Sequence, residues 1–82
     1  MNGFSYVYIL HSDRHPSRHY VGLTDDLRSR LKAHNRGKDV YTAKYRPWHI
    51  KTAIAFRDRK RASAFEIYRK SPSGRAFAKK RL

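Results

Sequence analysis

The chain contains no cysteine. Disulfides and thiolate metal sites are therefore excluded, and a reducing compartment suits such a chain. No apolar run approaches the ~18 residues that a membrane-spanning helix needs. The N-terminus lacks the charged and then apolar stretches of a secretory leader, so a cytoplasmic location is expected. Neither an internal repeat nor a low-complexity linker divides the 82 residues. A single domain over 1–82 is expected, and one so small buries only roughly 60–65% of its unfolded surface. Acidic residues are scarce as well. Six stand against 20 Lys and Arg, for a net charge of +14, and Glu66 is the only glutamate.

That charge balance points to a polyanionic partner, and the usual polyanion in the cytoplasm is nucleic acid. The cations are spread over every segment and do not line one face of a single helix. A membrane-surface helix fits this pattern less well. A globular domain that is merely basic is the plain alternative.

Phe4 to His11 alternates as a strand does, with Tyr6, Tyr8 and Leu10 on one face and Val7 and Ile9 on the other. His11 to Arg18 is polar, contains Pro16, and reads as a loop. His19 to Leu23 is a second strand, with Tyr20 and Gly22 on one face, and the pair reads as an antiparallel hairpin. Thr24 or Asp25 stands where a helix N-cap is expected, Leu27 and Leu31 form an apolar stripe, and Asn35 to Gly37 ends that helix. Lys38 to Pro47 reads as a loop rich in cations and tyrosine. Trp48 to Phe56 is a third strand. Asp58 is expected to cap a helix reaching about Lys70, with Ala62, Phe65 and Tyr68 at helical spacing. The stretch Ser71 to Gly74 breaks it, and Ser73 is the expected cap of a last short helix. The fold class is therefore α+β: a small three-stranded antiparallel sheet flanked by three helices, in the order β-β-α-β-α-α.

Several residues admit two readings each. Glu66 lies among Lys60, Arg61, Arg69 and Lys70. It is either a helix-surface ion pair with Arg69 or Lys70, worth a few tenths of a kcal/mol, or an oxygen ligand for a hard cation. Mg²⁺ is often held by one or two carboxylates and otherwise by water and substrate phosphate. Arg30 and His34 share one face of the first helix. They form either a solvated flank or a phosphate grip with a proton relay beside it. Tyr8 and Tyr20 are either cross-strand packing or a pair of phenols whose pKa is lowered by nearby cations. Trp48 opens a strand and reads as core. Tyr41 and Tyr45 lie among cations and are open between packing and stacking on unpaired bases.

The joint pattern decides between these readings. The stretch "YVY" (Tyr6 to Tyr8), then eleven residues, then "YVG" (Tyr20 to Gly22) resembles the signature of the GIY-YIG nucleases. "LTDDLRSRLKAHNRGK" is similar to that family's first helix and its exit. "RASAFEIYRKSPSGRAFAKKRL" resembles its glutamate-bearing helix and the tail of its small single-domain bacterial members. The resemblance runs from about Phe4 to Leu82. It implies that Tyr8 and Tyr20 match the two motif tyrosines and Gly22 the second motif's glycine. Arg30 matches the helix arginine, His34 a position occupied by histidine or tyrosine, and Glu66 the metal-binding glutamate. The chain also departs from the family. Tyr6 replaces the first motif's glycine, as in other small members. Leu23 stands where the excinuclease nuclease subunits carry lysine, so an activating role of that lysine is missing or moved. No counterpart is found for the asparagine that some relatives place after the glutamate helix.

What the resemblance implies is hydrolysis of DNA phosphodiester bonds in repair or recombination, with one Mg²⁺ or Mn²⁺ held by Glu66. Tyr8 or Tyr20, partly phenolate, would take a proton from water, Arg30 would stabilise the phosphoryl oxygens, and His34 would orient a phenol or accept its proton. Arg36, Lys38, Lys44 and Arg46, with Gly22, are expected to meet the nucleic acid. The substrate is expected to be branched or damaged DNA, or to be supplied by a targeting protein partner. A non-catalytic basic nucleic-acid-binding module and a structural RNA-bound protein are the competing readings.

Overall fold

A computed structural model describes residues 3–82; the first two residues of the expected 1–82 domain lie outside the described residues. Strand β1 (Ser5–Ser12) is central, with β2 (His19–Thr24) on one side and β3 (Trp48–Phe56) on the other, both antiparallel to it. The remaining elements are α1 (Leu27–Asn35), α2 (Val40–Lys44), α3 (Arg59–Arg69) and α4 (Pro72–Arg81). The α+β class and the strand–helix order are as expected, with one helix more. The segment 38–47, read as a loop, contains the short α2.

Alternation along β1 splits the core into two layers. Tyr8, Leu10 and Trp48 pack with Tyr20, Leu27 and Leu31 on the α1 face. Val7, Ile9, Val21 and Ala62 pack with Phe56 and Phe65 on the α3 face. Leu10 is fully buried, and burial of such a side chain stabilises by about 1.5–3 kcal/mol. Trp48 is core, as expected, and its indole N–H donates to the Thr42 carbonyl at 2.7 Å.

The caps differ from expectation in two places. Asp26, not Thr24 or Asp25, caps α1 and accepts from the Ser29 amide at 3.1 Å. Asp25 turns away to accept from Ser5 Oγ at 2.8 Å and from Arg59 Nη1 at 2.6 Å, which ties β1 and α3 to the start of α1. Ser71, not Ser73, caps α4, with Pro72 in the first turn, where a missing N–H does no harm. Gly74 permits the tight α3–α4 turn, because a Cβ there would stand 2.5 Å from the Tyr68 carbonyl carbon. Among the described residues no helix is long and apolar enough to cross a membrane.

Candidate active site

The β1–β2 register pairs Tyr8 with Gly22 and Leu10 with Tyr20. The two phenols are therefore diagonal neighbours on one face, with ring centroids 6.3 Å apart. Tyr8 lies over Gly22, and a Cβ on that glycine would stand 2.5 Å from Tyr8 Cζ. Gly22 is buried beneath this ring and offers no free surface of its own.

His34, on α1, meets both rings. Its centroid is 5.9 Å from that of Tyr8 and 4.8 Å from that of Tyr20. Tyr8 and His34 are each only 1% exposed, and the Tyr8 hydroxyl lies 2.9 Å from His34 Nε2. On the far side of the imidazole, Nδ1 is 2.8 Å from Thr42 Oγ1. The Thr42 hydroxyl donates to the Asp39 carbonyl at 3.5 Å, which leaves its lone pair to accept from Nδ1–H. Nε2 then carries the lone pair that accepts the Tyr8 proton. Burial, together with the charge of Arg30, lowers the pKa of His34, in keeping with a neutral ring.

Arg30, one turn before His34 on α1, faces both phenol oxygens, and this contact raises its own pKa. Cations around Tyr8 were expected to favour phenolate. The reverse holds, because burial raises the Tyr8 pKa and outweighs the hydrogen bond from Arg30 that lowers it. In the resting state the Tyr8 hydroxyl keeps its proton and donates it to His34.

Glu66 sits on α3 with its side chain 20% exposed and accepts from Lys70 Nζ at 2.9 Å. The helix-surface ion pair is thus present. Its carboxylate is nevertheless close enough for its charge to help raise the Tyr8 pKa. Among the described residues there is no group of three or more His, Cys, Asp or Glu able to hold a metal ion. Those residues therefore form no cage built from protein ligands alone. Glu66 offers a single carboxylate, the kind of oxygen donor a hard divalent cation takes when water and phosphate supply its other ligands.

Arg36, Lys38, Lys44 and Arg46 are all exposed around the end of α1 and α2. Arg46 folds back against Gly37, and Lys44 extends over the Tyr45 ring. Tyr41 and Tyr45 are 5.4 Å apart and continue the aromatic layer, with Tyr41 6.3 Å from Tyr20. Thr42 and Asp39 were not singled out from the sequence. The available clue was the spacing Asp39-x-x-Thr42, in which Asp39 Oδ1 caps α2 through the Tyr41 and Thr42 amides.

A sheet that gathers two phenols, an imidazole and a guanidinium beneath a strongly cationic surface has the make-up of a nuclease domain. Residues 4–81 match the family model of the GIY-YIG catalytic domain, and the chain belongs to that family. No curated protein and no solved structure is significantly similar to it.

Proposed function

We propose that the protein is a divalent-metal-dependent endonuclease that hydrolyses DNA phosphodiester bonds in repair or recombination, with branched or damaged DNA as its substrate. One observation carries this reading. The buried Tyr8 hydroxyl is hydrogen-bonded to a neutral His34, with Arg30 facing the same oxygen. A phenol that only packs needs neither neighbour.

In this mechanism Tyr8 passes its proton to His34 Nε2 as its oxygen takes one from the attacking water. Arg30 stabilises the phenolate while the proton is away, and its outer N–H groups hold the phosphoryl oxygens. Thr42 keeps the imidazole in the accepting tautomer. Tyr20 packs against the imidazole and completes the wall of the site. Glu66 is the residue that would hold Mg²⁺ or Mn²⁺, with Lys70 released from its ion pair. A cation there supplies neutralisation of charge on the phosphoryl and leaving oxygens. Arg36, Lys38, Lys44 and Arg46 grip backbone phosphates without reading bases.

The ion pair between Glu66 and Lys70 is the one observation that favours the second reading, a basic binding module without catalysis. A cleavage assay on flap, junction, single-stranded and plain duplex DNA, with and without Mg²⁺ or Mn²⁺, separates the two. Cleavage is expected only with the ion, and Glu66→Gln is expected to abolish it while DNA affinity is kept. Tyr8→Phe should slow it by about 10²–10⁴-fold. Wild-type rates in Glu66→Gln would remove the metal-ligand role, and no cleavage of any substrate would leave the binding module.

A further inference from the structure

The face of the sheet turned away from Tyr8 carries a second concentration of charge. Three histidines cross the strands in a row, since His11 pairs with His19 on one side and with His49 on the other. Their ring centroids are 6.1 and 6.2 Å apart. Among the described residues His49 alone of the three has a carboxylate partner, Asp13 at 2.5 Å. The β1–β3 register slips between Ile9 and Leu10, which leaves Lys51 unpaired and directs it to the same side as Ile9 and His11. Lys51 joins His11, His19, Arg69, Arg75 and Lys79 around a hollow of about 280 Å³ that no acidic side chain lines.

Arg69 is the decisive residue. It is 7% exposed. Its Nε is buried without a hydrogen-bond partner, and none of the ion pairs among the described residues includes it. Burial and the adjacent Arg75 both act against its charge. A buried cation without a counter-charge is strongly unfavourable unless an anion completes it. Arg75 is steadied by its own bond from Nη1 to the Lys70 carbonyl, 2.8 Å, and stands beside it. A second hollow of about 260 Å³ shares His19, Arg69 and Arg75 with the first and continues to Tyr20 and Lys70. The two together lead from Tyr20, which packs against Tyr8, around β2, one of the sheet's two edge strands.

We propose that this hollow is a second phosphate site, completed by a phosphate group of the nucleic acid and served by Arg69, Arg75, Lys51 and Lys79. Its phosphate chemistry stands on the unpaired Arg69, while the assignment to nucleic acid rests on the proposed DNA reading. The bound strand wraps the edge of β2, with one phosphate at Arg30 and another at Arg69. The phosphate belongs either to the backbone or to a strand terminus.

Binding can be read by NMR in EDTA, so that cleavage plays no part and a failure of the nuclease reading does not affect the result. The Arg69 Nε–H and the His11 and His19 ring signals are followed while inorganic phosphate is added. Parallel titrations use a single-stranded oligonucleotide with and without a 5′-phosphate. The signals should move and saturate, and Arg75→Gln/Lys79→Gln should weaken binding at least tenfold. Lys80→Gln/Arg81→Gln removes the same charge from α4 outside the hollow and should have little effect. Equal movement by both oligonucleotides assigns the backbone, and movement by the phosphorylated one alone assigns the terminus. Three outcomes would overturn the proposal: no movement at all, movement with inorganic phosphate only, or equal weakening in the control variant.

Discussion

Tyr8 holds its proton because burial outweighs the guanidinium that faces it, and His34 stays neutral because burial and that same guanidinium both disfavour its protonated form. For His34 this sets the sign of a pH dependence. Its folded pKa lies below the ordinary 6.5, so below that value the unfolded chain takes up a proton that the folded one refuses. Stability is therefore full above 6.5 and falls as pH drops towards the folded pKa. His11, lowered chiefly by burial, acts in the same direction. Urea melts at pH 7.5 and 5.5 should show lower stability at the acid value, and the difference should shrink in His34→Gln. Equal stability at both pH values would contradict the buried, neutral imidazole. Gly22 gives a second test at this scale. In Gly22→Ala the new methyl displaces the Tyr8 ring, and a misplacement of about 1 Å can reduce a rate by about 10²-fold. Cleavage should fall by roughly that factor in a protein whose circular dichroism is unchanged. A wild-type rate would show that the position of the Tyr8 hydroxyl is immaterial.

At the scale of elements, α2 matters beyond its five residues. It brings Thr42 under His34 and closes over Trp48, while Asn35 brackets the start of β3 by accepting from the Trp48 amide at 2.7 Å and donating to its carbonyl at 3.1 Å. Thr42→Val keeps the volume but leaves Nδ1–H without an acceptor, at a cost of about 1–3 kcal/mol. The variant should melt lower and cleave more slowly with DNA affinity unchanged, and Thr42→Ser should restore both properties. A Val variant as active and as stable as wild type would end the tautomer role. The strands and the long helices were legible from their periodicity. The helix α2 was not, because one turn is too short to show a helical period and its stability comes from Asp39 and Trp48. The caps of α1 and α4 were misplaced for a related reason. Thr24, Asp25 and Asp26 are all chemically able to cap, as are Ser71 and Ser73, and the choice falls to whichever is left at the boundary once strand and helix have packed.

At the scale of the whole molecule, the net charge of +14 sets the association with DNA. Affinity should weaken by about 0.9 log unit per log unit of salt for each duplex phosphate contacted. Anisotropy titrations between 50 and 200 mM salt would measure that slope, and a flat response would exclude a polyanionic partner. The exposed cations near α2 and the Arg69 hollow lie on different faces, so positive charge stands on both sides of the sheet.

Composition and alternation by themselves determined the basic surface, the order of the elements, and the two layers into which β1 divides its side chains. It was the resemblance to the GIY-YIG signature, not composition or alternation, that pointed to Tyr8, Tyr20, Arg30, His34 and Glu66 as one site. Only the tertiary structure decided that Tyr8 is bonded to His34 with Thr42 behind it, that its phenol is pushed up rather than down, and that Arg69 is buried without a counter-charge. Periodicity is a local property of the chain. Partners, desolvation and the sign of a pKa shift depend on groups brought together from 20 or more positions apart, as with Ser5 and Asp25 or Tyr8 and His34.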